Sequence, residues 1–424
     1  MPHVALICPP LPGHLNPVSV LGRALQRRGH KVSLFGIPAT ADAARAQRLD
    51  FFPIGQGSSE TLAESVRKMA ELEGLRSLRF AVECSRQIAD LLCRELPSAL
   101  AAEEVDLLLV DQNEPAGGTV AEHVGLPFVS VCPSLPLNRE PLIPPPFVPW
   151  NFSASVFARL RNKLGYLATD RLIGPINATI NSCRRRWNLP ELRKPDDSFS
   201  TIGQLCQMTA DFDFPRRNLP PTFHYLGPFV EQTASRIPFS FERLDGRPLI
   251  FASLGTLQSK DNRLFSTIAA ACEGLDVQLV LALGSADRSS REQFAGNPIV
   301  VGFAPQLELL ARASLAITHA GLNTVMQALS CGVPLVALPI THDQPAIAAR
   351  VAHSGAGKVI PAASMNPASL RAAVSQVLKE PRYRERARAL SCSIARAGGV
   401  ERAADIVDSV LATHRATHHA LRNH

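Results

Sequence analysis

Aromatic side chains are scarce, 6% of 424 residues with two tryptophans and three tyrosines. Stacking platforms interleaved with basic residues, the usual footing for single-stranded nucleic acid, are therefore missing. Charge of one sign is scarce too, with 44 Lys and Arg against 37 Asp and Glu for a net +7. So modest an excess, with so few aromatics, points away from nucleic acid as a partner and leaves room for a weak attraction to anionic membrane surfaces. No apolar run reaches the length needed to span a bilayer. The start, Met-Pro-His-Val-Ala-Leu-Ile-Cys, lacks the basic-then-apolar layout of a signal peptide, so a cytoplasmic location is expected. The nine cysteines, at 8, 84, 93, 132, 183, 206, 272, 331 and 392, form no Cys-x-x-Cys pair. Several fall inside apolar segments, the pattern of reduced, buried thiols; neither a disulfide framework nor a structural metal is expected.

What is present is an alternation. The length suits two domains, each able to bury a full core. Residues 4–8 read as a buried strand, followed by a loop over 9–16 and a helix with Asn16 as N-cap, Pro17 in its first turn and Gly29 at its end. Strands follow at 31–36, 106–110 and 127–131, with a helix over 115–124 between the last two. Strands alternating with helices indicate a parallel sheet with right-handed crossovers. Around 136–152, six prolines among apolar and aromatic residues exclude a helix or a central strand. This reads as a rigid extended loop with exposed apolar character, in which Leu142, Ile143, Phe147, Val148 and Trp150 either line a greasy channel, touch a membrane or pack on their own domain.

The alternation restarts at Pro248, with strands at 249–254, 278–283 and 299–303 and a helix over 263–273. The reading is therefore α/β: a first doubly wound domain over 1–226, a linker over 227–246 and a second such domain over 247–398. A last helix within 399–424 returns to the first domain and ends in a polar tail.

The densest information lies between Gly302 and Gln344, where successive βα corners put polar or ring side chains at strand ends. Phe303 offers a ring face and Gln306 an amide to a planar base, although a core Phe and a capping Gln are the plainer reading of each alone. His319 and Gly321 lead at once into a helix whose first turn carries Asn323 and Thr324, an N-terminus suited to a diphosphate. Gln327 points along the same surface one turn on. Asp343 and Gln344 reach hydroxyl groups from the next corner, unless Asp343 only caps the following helix. Ser253-Leu-Gly-Thr256 is a further strand-to-loop turn. In the first half, His14 follows strand one and Asp111 ends its own strand at the same sheet edge, where a carboxylate can fix an imidazole for general-base work. Taken singly, a loop His and a turn-forming Asp beside Asn113 are ordinary; convergence of the corners on one crevice favours chemistry.

The ordered set Phe-x-Pro-Gln, His-Ala-Gly-x-Asn-Thr, Gln-Ala-Leu, Gly-Val-Pro and Asp-Gln resembles the GT-B-fold UDP-sugar glycosyltransferases of plant and bacterial natural products. The likeness covers essentially the whole chain. Asp111-Gln-Asn-Glu-Pro-Ala-Gly, Leu137-Asn-Arg-Glu-Pro, Asp213-Phe-Pro-Arg, Phe223-His-Tyr-Leu-Gly-Pro and Phe251-Ala-Ser-Leu-Gly-Thr-Leu-Gln are similar to the bacterial carotenoid (zeaxanthin) glucosyltransferases in particular. The resemblance implies two Rossmann-like domains facing each other across a cleft. It implies Phe303 stacked on uracil with Gln306 pairing to it, and Gln327 at the ribose. It places His319, Asn323 and Thr324 at the diphosphate with Thr256 nearby, and Asp343 and Gln344 at the sugar. His14 is then the base and Asp111 its partner. Two positions depart from the pattern: Phe303 is often Trp in plant members, and Gln327 is usually acidic.

The expected activity is inverting glucosyl transfer from UDP-glucose to a lipophilic hydroxylated acceptor, with no cofactor and no metal, since no Asp-x-Asp pair occurs among the cleft motifs. A glycosyltransferase of another lipophilic or phenolic product, an enzyme that rearranges UDP-sugars, and a UDP-sugar-binding protein without transfer are the alternatives. A dehydrogenase fits poorly, because strand one leads to Pro-Pro-Leu-Pro-Gly-His and not to Gly-x-Gly-x-x-Gly.

Overall fold

The computed structural model describes residues 1–55, 74–231, 237–255, 262–285 and 293–422. Apolar runs such as Leu-Leu-Leu-Val over 107–110 are buried on both faces, as strands between two helix layers must be. Strands β1 (His3–Ile7), β2 (Lys31–Gly36), β3 (Asp50–Pro53), β4 (Leu107–Asp111), β5 (Phe128–Cys132), β6 (Gln204–Cys206) and β7 (Phe223–Tyr225) form the first sheet. A second sheet contains β8 (Leu249–Ser253), β9 (Gln278–Ala282), β10 (Ile299–Val301), β11 (Ala313–Thr318), β12 (Leu335–Ala337) and β13 (Gly357–Val359). The pairings are parallel throughout, in the orders β3-β2-β1-β4-β5-β6-β7 and β10-β9-β8-β11-β12-β13. In each sheet the chain builds outward to one side, then returns to the centre and builds to the other. The reversal points are β1/β4 and β8/β11, and crevices open outside the carboxyl ends of strands at such points. This is the doubly wound α/β pair of sheets expected from the sequence.

The helices are α1 (Pro12–Arg27), α2 (Ala41–Ala46), α3 (Gly74–Ala102), α4 (Pro115–Val124), α5 (Val156–Arg186), α6 (Asn262–Cys272), α7 (Gln306–Leu310), α8 (Leu322–Ser330), α9 (Gln344–Ser354), α10 (Pro367–Lys379), α11 (Pro381–Ala397) and α12 (Gly399–Arg422). From α12, Val400, Ala403, Ala404, Val407 and Leu411 share an apolar cluster with Leu21 and Leu25 of α1. Arg28 at the end of α1 bonds Glu401, Asp405 and Asp408. The halves also meet directly. Met208 and Phe212 share a core cluster with Leu322, Val325 and Ile347. Buried Asp213 bonds Arg216 and, across the halves, Arg350, each at 2.7 Å.

Three expectations need correction. Helix α1 begins at Pro12, not after Asn16, so His14 lies in a helical first turn and not in a loop. Pro12 takes the N1 position, where a missing N–H costs nothing. Pro17 is then interior, and its missing donor leaves the Gly13 carbonyl without an intrahelical partner. Strand β10 stops at Val301, so Phe303 stands beyond the strand, 45% exposed. The Pro-rich loop over 136–152 is largely packed. Ile143 is buried against Phe214 and Ala349, and Trp150 lies against Gly165 under the guanidinium of Arg161.

Candidate active site

The first half of the site follows from strand register. β1 and β4 are neighbours, with Ile7 opposite Val110, so the chain leaving β1 and the end of β4 emerge side by side. His14 on α1 and Asp111 at the end of β4 therefore meet, Nδ1 to Oδ2 at 2.8 Å. Asp111 is fully buried and its other oxygen accepts from the Asn113 N–H and side-chain amide at 2.9 and 3.2 Å. The turn with Asn113 and the bond to His14 thus coexist. With Nδ1 donating to a carboxylate, Nε2 of the neutral ring is left unprotonated, the state a base needs. Burial alone would depress the His14 pKa; the charge and hydrogen bond of Asp111, helped by Asp343 and Glu114, outweigh it and raise the pKa. Glu114 lines the same cleft, and burial together with the Asp111 charge pushes it up to about 8.

The second half is built around a histidine of opposite character. His319 follows β11, and its ring is wedged between two glycines. A Cβ on Gly321 would sit 2.5 Å from Nε2 and one on Gly255 2.8 Å from Cε1. Desolvation pushes His319 down to about 4, against a backbone hydrogen bond with Ser253. Its Nδ1 is buried and has no hydrogen-bond partner among the described residues. Ala320 beside it has φ of 66°, a left-handed conformation that a non-glycine residue holds only when its surroundings impose it. Gly321 is the N-cap of α8 and brings no side-chain cap, so the first-turn N–H groups of that helix remain for a ligand. Asn323 and Thr324 lie in that turn.

At the next corner Asp343 is the N-cap of α9, but its side chain makes no capping hydrogen bond. Burial raises its pKa, while His14 and His342 act against the rise. The preceding His342 has φ of 56°. Gln344 is buried, and its carbonyl oxygen accepts from the Ile340 and Thr341 N–H groups at 2.9 and 3.0 Å. Only its amide N–H₂ is left to face the cleft. Gln306 donates to Gln327 at 2.6 Å, which fixes the orientation of both amides.

Two contacts of Asn323 join the halves at the candidate site. The Asn323 amide donates at 2.9 Å to the Gly13 carbonyl, the acceptor that Pro17 leaves free. Its oxygen accepts from Gln207 at 2.6 Å. His14, Phe303, Gln306, His319, Gly321, Asn323, Thr324, Gln327, Asp343 and Gln344 all line one cleft of about 1280 Å³. Asp111 stands directly behind His14; Thr256 lies outside the described residues. That volume exceeds a typical single-ligand pocket of roughly 300–1,000 Å³ and suits two substrates. On the His14 side the wall is mainly apolar, with Ala81, Val82, Ile88, Phe147, Leu172, Ile173 and Ile176. Of the five apolar loop residues picked out between 142 and 150, only Phe147 lines the cleft. Sequence reasoning gave no role to Glu114, Gln207 or His342. Glu114 was visible in the Asp-Gln-Asn-Glu segment, whereas nothing local marks Gln207.

An imidazole braced by a carboxylate faces a helix N-terminus able to receive an anion, an arrangement that suits group transfer with an anionic leaving group. Residues 19–405 match the family described as UDP-glucoronosyl and UDP-glucosyl transferase. The zeaxanthin glucosyltransferase of Pseudescherichia vulneris is 35% identical over 416 residues, covering 97% of this chain and 98% of that protein. That of Pantoea ananas is 37% identical over 419 residues, covering 97% of each. Among solved structures, the glycotransferase of kitacinnamycin superposes with a TM-score of 0.71 at 23% identity, covering 96% of this chain and 99% of that one.

Proposed function

The chain belongs to the UDP-glucoronosyl and UDP-glucosyl transferase family and is a UDP-glycosyltransferase; we propose that it moves glucose from UDP-glucose to a hydroxyl of a hydrophobic small molecule, zeaxanthin or a similar carotenoid. The transfer is a single displacement with inversion. The acceptor hydroxyl gives its proton to Nε2 of His14, and the Asp111 carboxylate steadies the imidazolium that results. The acceptor oxygen forms its bond to the anomeric carbon as the bond from that carbon to the phosphate oxygen breaks, its electron pair leaving with UDP. The diphosphate sits at the first turn of α8, where backbone N–H groups and the helix dipole meet the growing charge. His319 brings no positive charge there, so α8 itself supplies the stabilisation. Phe303 and the Gln306–Gln327 pair take the base and ribose, and Asp343 with the Gln344 amide takes the sugar.

Metal independence is part of the proposal. Asp211-Phe-Asp213 has the spacing of a metal-binding pair, but Asp213 is committed to Arg216 and Arg350, and Asp211 accepts from Ser393. The acceptor class rests on the apolar wall of the cleft and on the two zeaxanthin glucosyltransferase relatives. The observation that carries the reading most is the 2.9 Å bond from Asn323 to Gly13, which brings the α8 N-terminus against the turn holding His14.

The test is incubation with UDP-glucose alone, then with hydroxylated carotenoids, sterols and phenolics, in the presence of a chelator, reading UDP release and product mass. Acceptor-dependent UDP release with a carotenoid glucoside is expected. Transfer only to phenolics would move the acceptor class. Conversion of UDP-glucose without an acceptor would point to a rearranging enzyme, and tight UDP binding without turnover to a binding protein.

A further inference from the structure

Nine large hydrophobic side chains stand exposed among the described residues, and five of them, Val156, Phe157, Leu160, Leu164 and Leu167, belong to α5. At about 100° per residue they fall on one stripe roughly 100° wide. The stripe is not a frayed end: Ser155 caps the helix by accepting from the Ala158 N–H, and the helix continues to Arg186. Phe157 is 85% exposed and Leu167 55%. On the opposite side of the same helix, Tyr166, Thr169, Leu172, Ile173 and Ile176 line the cleft. Helix α5 is thus the wall between the acceptor half of the cleft and the outside, and its outer face is apolar.

The charges beside the stripe are of one sign. Arg159, Lys163 and Arg171 are exposed, and 156–169 contains no acidic residue. The first acid, Asp170, is bonded to Arg139. We propose that the outer face of α5 is a membrane-docking surface, seating the protein on a bilayer with anionic headgroups. A helix with Phe and Leu on one face and Lys or Arg at its margins is the form that lies in a bilayer interface. A second copy of the chain fits less well, because a two-fold contact through this stripe brings the same three cations together. The docking needs neither donor nor acceptor and stands apart from the choice of substrate. It also puts membrane contact on α5 and not on the packed loop over 136–152.

The experiment is flotation of the full chain with phosphatidylcholine vesicles, with and without phosphatidylglycerol, at low and high salt. Wild type is expected to float with the anionic vesicles. The triple variant Phe157→Ser, Leu160→Ser, Leu164→Ser should lose about tenfold or more of this partitioning. The triple variant Arg159→Gln, Lys163→Gln, Arg171→Gln should lose the salt-sensitive part, about fivefold per charge removed. Both variants should keep wild-type UDP affinity and melting temperature, which separates docking from folding. The proposal is overturned if wild type stays with the bottom fraction, or if the Ser variant floats like wild type. It is also overturned if wild type is a dimer that the Ser variant converts to monomer while neither binds vesicles; the stripe is then an interface between copies.

Discussion

Replacing Asp111 by Asn tests the general-base pair through two readouts that a merely structural role would not move together. The new side chain is isosteric, and its carbonyl can keep accepting from the Asn113 N–H, now at 2.9 Å. Its N–H₂ then faces Nδ1 of His14, where a carboxylate oxygen stood at 2.8 Å. Nδ1 must become the acceptor, so the proton moves to Nε2, the nitrogen that has to take the acceptor's proton. The imidazolium formed in the transition state also loses its counter-charge. Two unit charges about 4 Å apart at an effective dielectric near 20 interact by about 4 kcal/mol. At about 1.4 kcal/mol per decade this predicts a fall in kcat on the order of 10³. The pH profile moves as well. A base works when deprotonated, so wild-type activity rises with pH through a His14 pKa held above the ordinary 6.5. Without the Asp111 charge, burial, which lowers the pKa, gains weight, and the acid limb shifts to lower pH. Steady-state kinetics from pH 5 to 9 would show both. A kcat within threefold of wild type, or a limb that stays or moves up, would refute the pairing.

Gly321→Ala puts a methyl 2.5 Å from the His319 ring and should weaken UDP binding at least about tenfold by calorimetry, at a stability cost of about 1–3 kcal/mol in urea unfolding. Gln327→Glu keeps an acceptor for the Gln306 amide and adds a second carboxylate oxygen for a ribose hydroxyl; it should tighten UDP binding by several-fold and affect a 2′-deoxy nucleotide less. Asp213→Ala strands two buried guanidiniums between the halves and should cost about 3–5 kcal/mol in urea unfolding. Burial alone would raise the Asp213 pKa, but Arg216 and Arg350 hold it well below the usual 3.8. The stability gap to wild type is therefore full above that pH and narrows only below it.

The two sheets were legible because each buried parallel strand is a short apolar run with its own punctuation, as at 31–36, where the expected bounds coincide with β2. The convergence of the candidate site residues on one cleft was legible because chain reversal sends β1 with β4, and β8 with β11, to the sheet centres, which brings polar groups at strand ends together. The start of α1 was not. Pro12 and Pro17 both suit a first helical turn, and the local rule has no means of choosing between them. What makes an interior Pro17 tolerable is a partner for the Gly13 carbonyl, and that partner, Asn323, comes from the other half of the chain. Which reading of the Pro-rich loop holds was hidden for the same reason: Ile143 is covered by Phe214 and Ala349, which no local pattern links to it. Asp343 looked equally like a cap and a ligand group, and only the geometry of the α9 N-terminus separates the two.

The most direct measurement is glucosyl transfer and UDP binding side by side for wild type and His14→Ala. His14, the base of the proposed mechanism, sits on α1, while the proposed nucleotide corner is built from α7 and α8. With UDP-glucose and the best acceptor of the panel, the variant should lose transfer by a factor on the order of 10² to 10⁴. Its calorimetric affinity for UDP should stay within about twofold of wild type, since His14 supplies no nucleotide contact in this account. Transfer that survives the substitution, or UDP binding lost along with transfer, would contradict it.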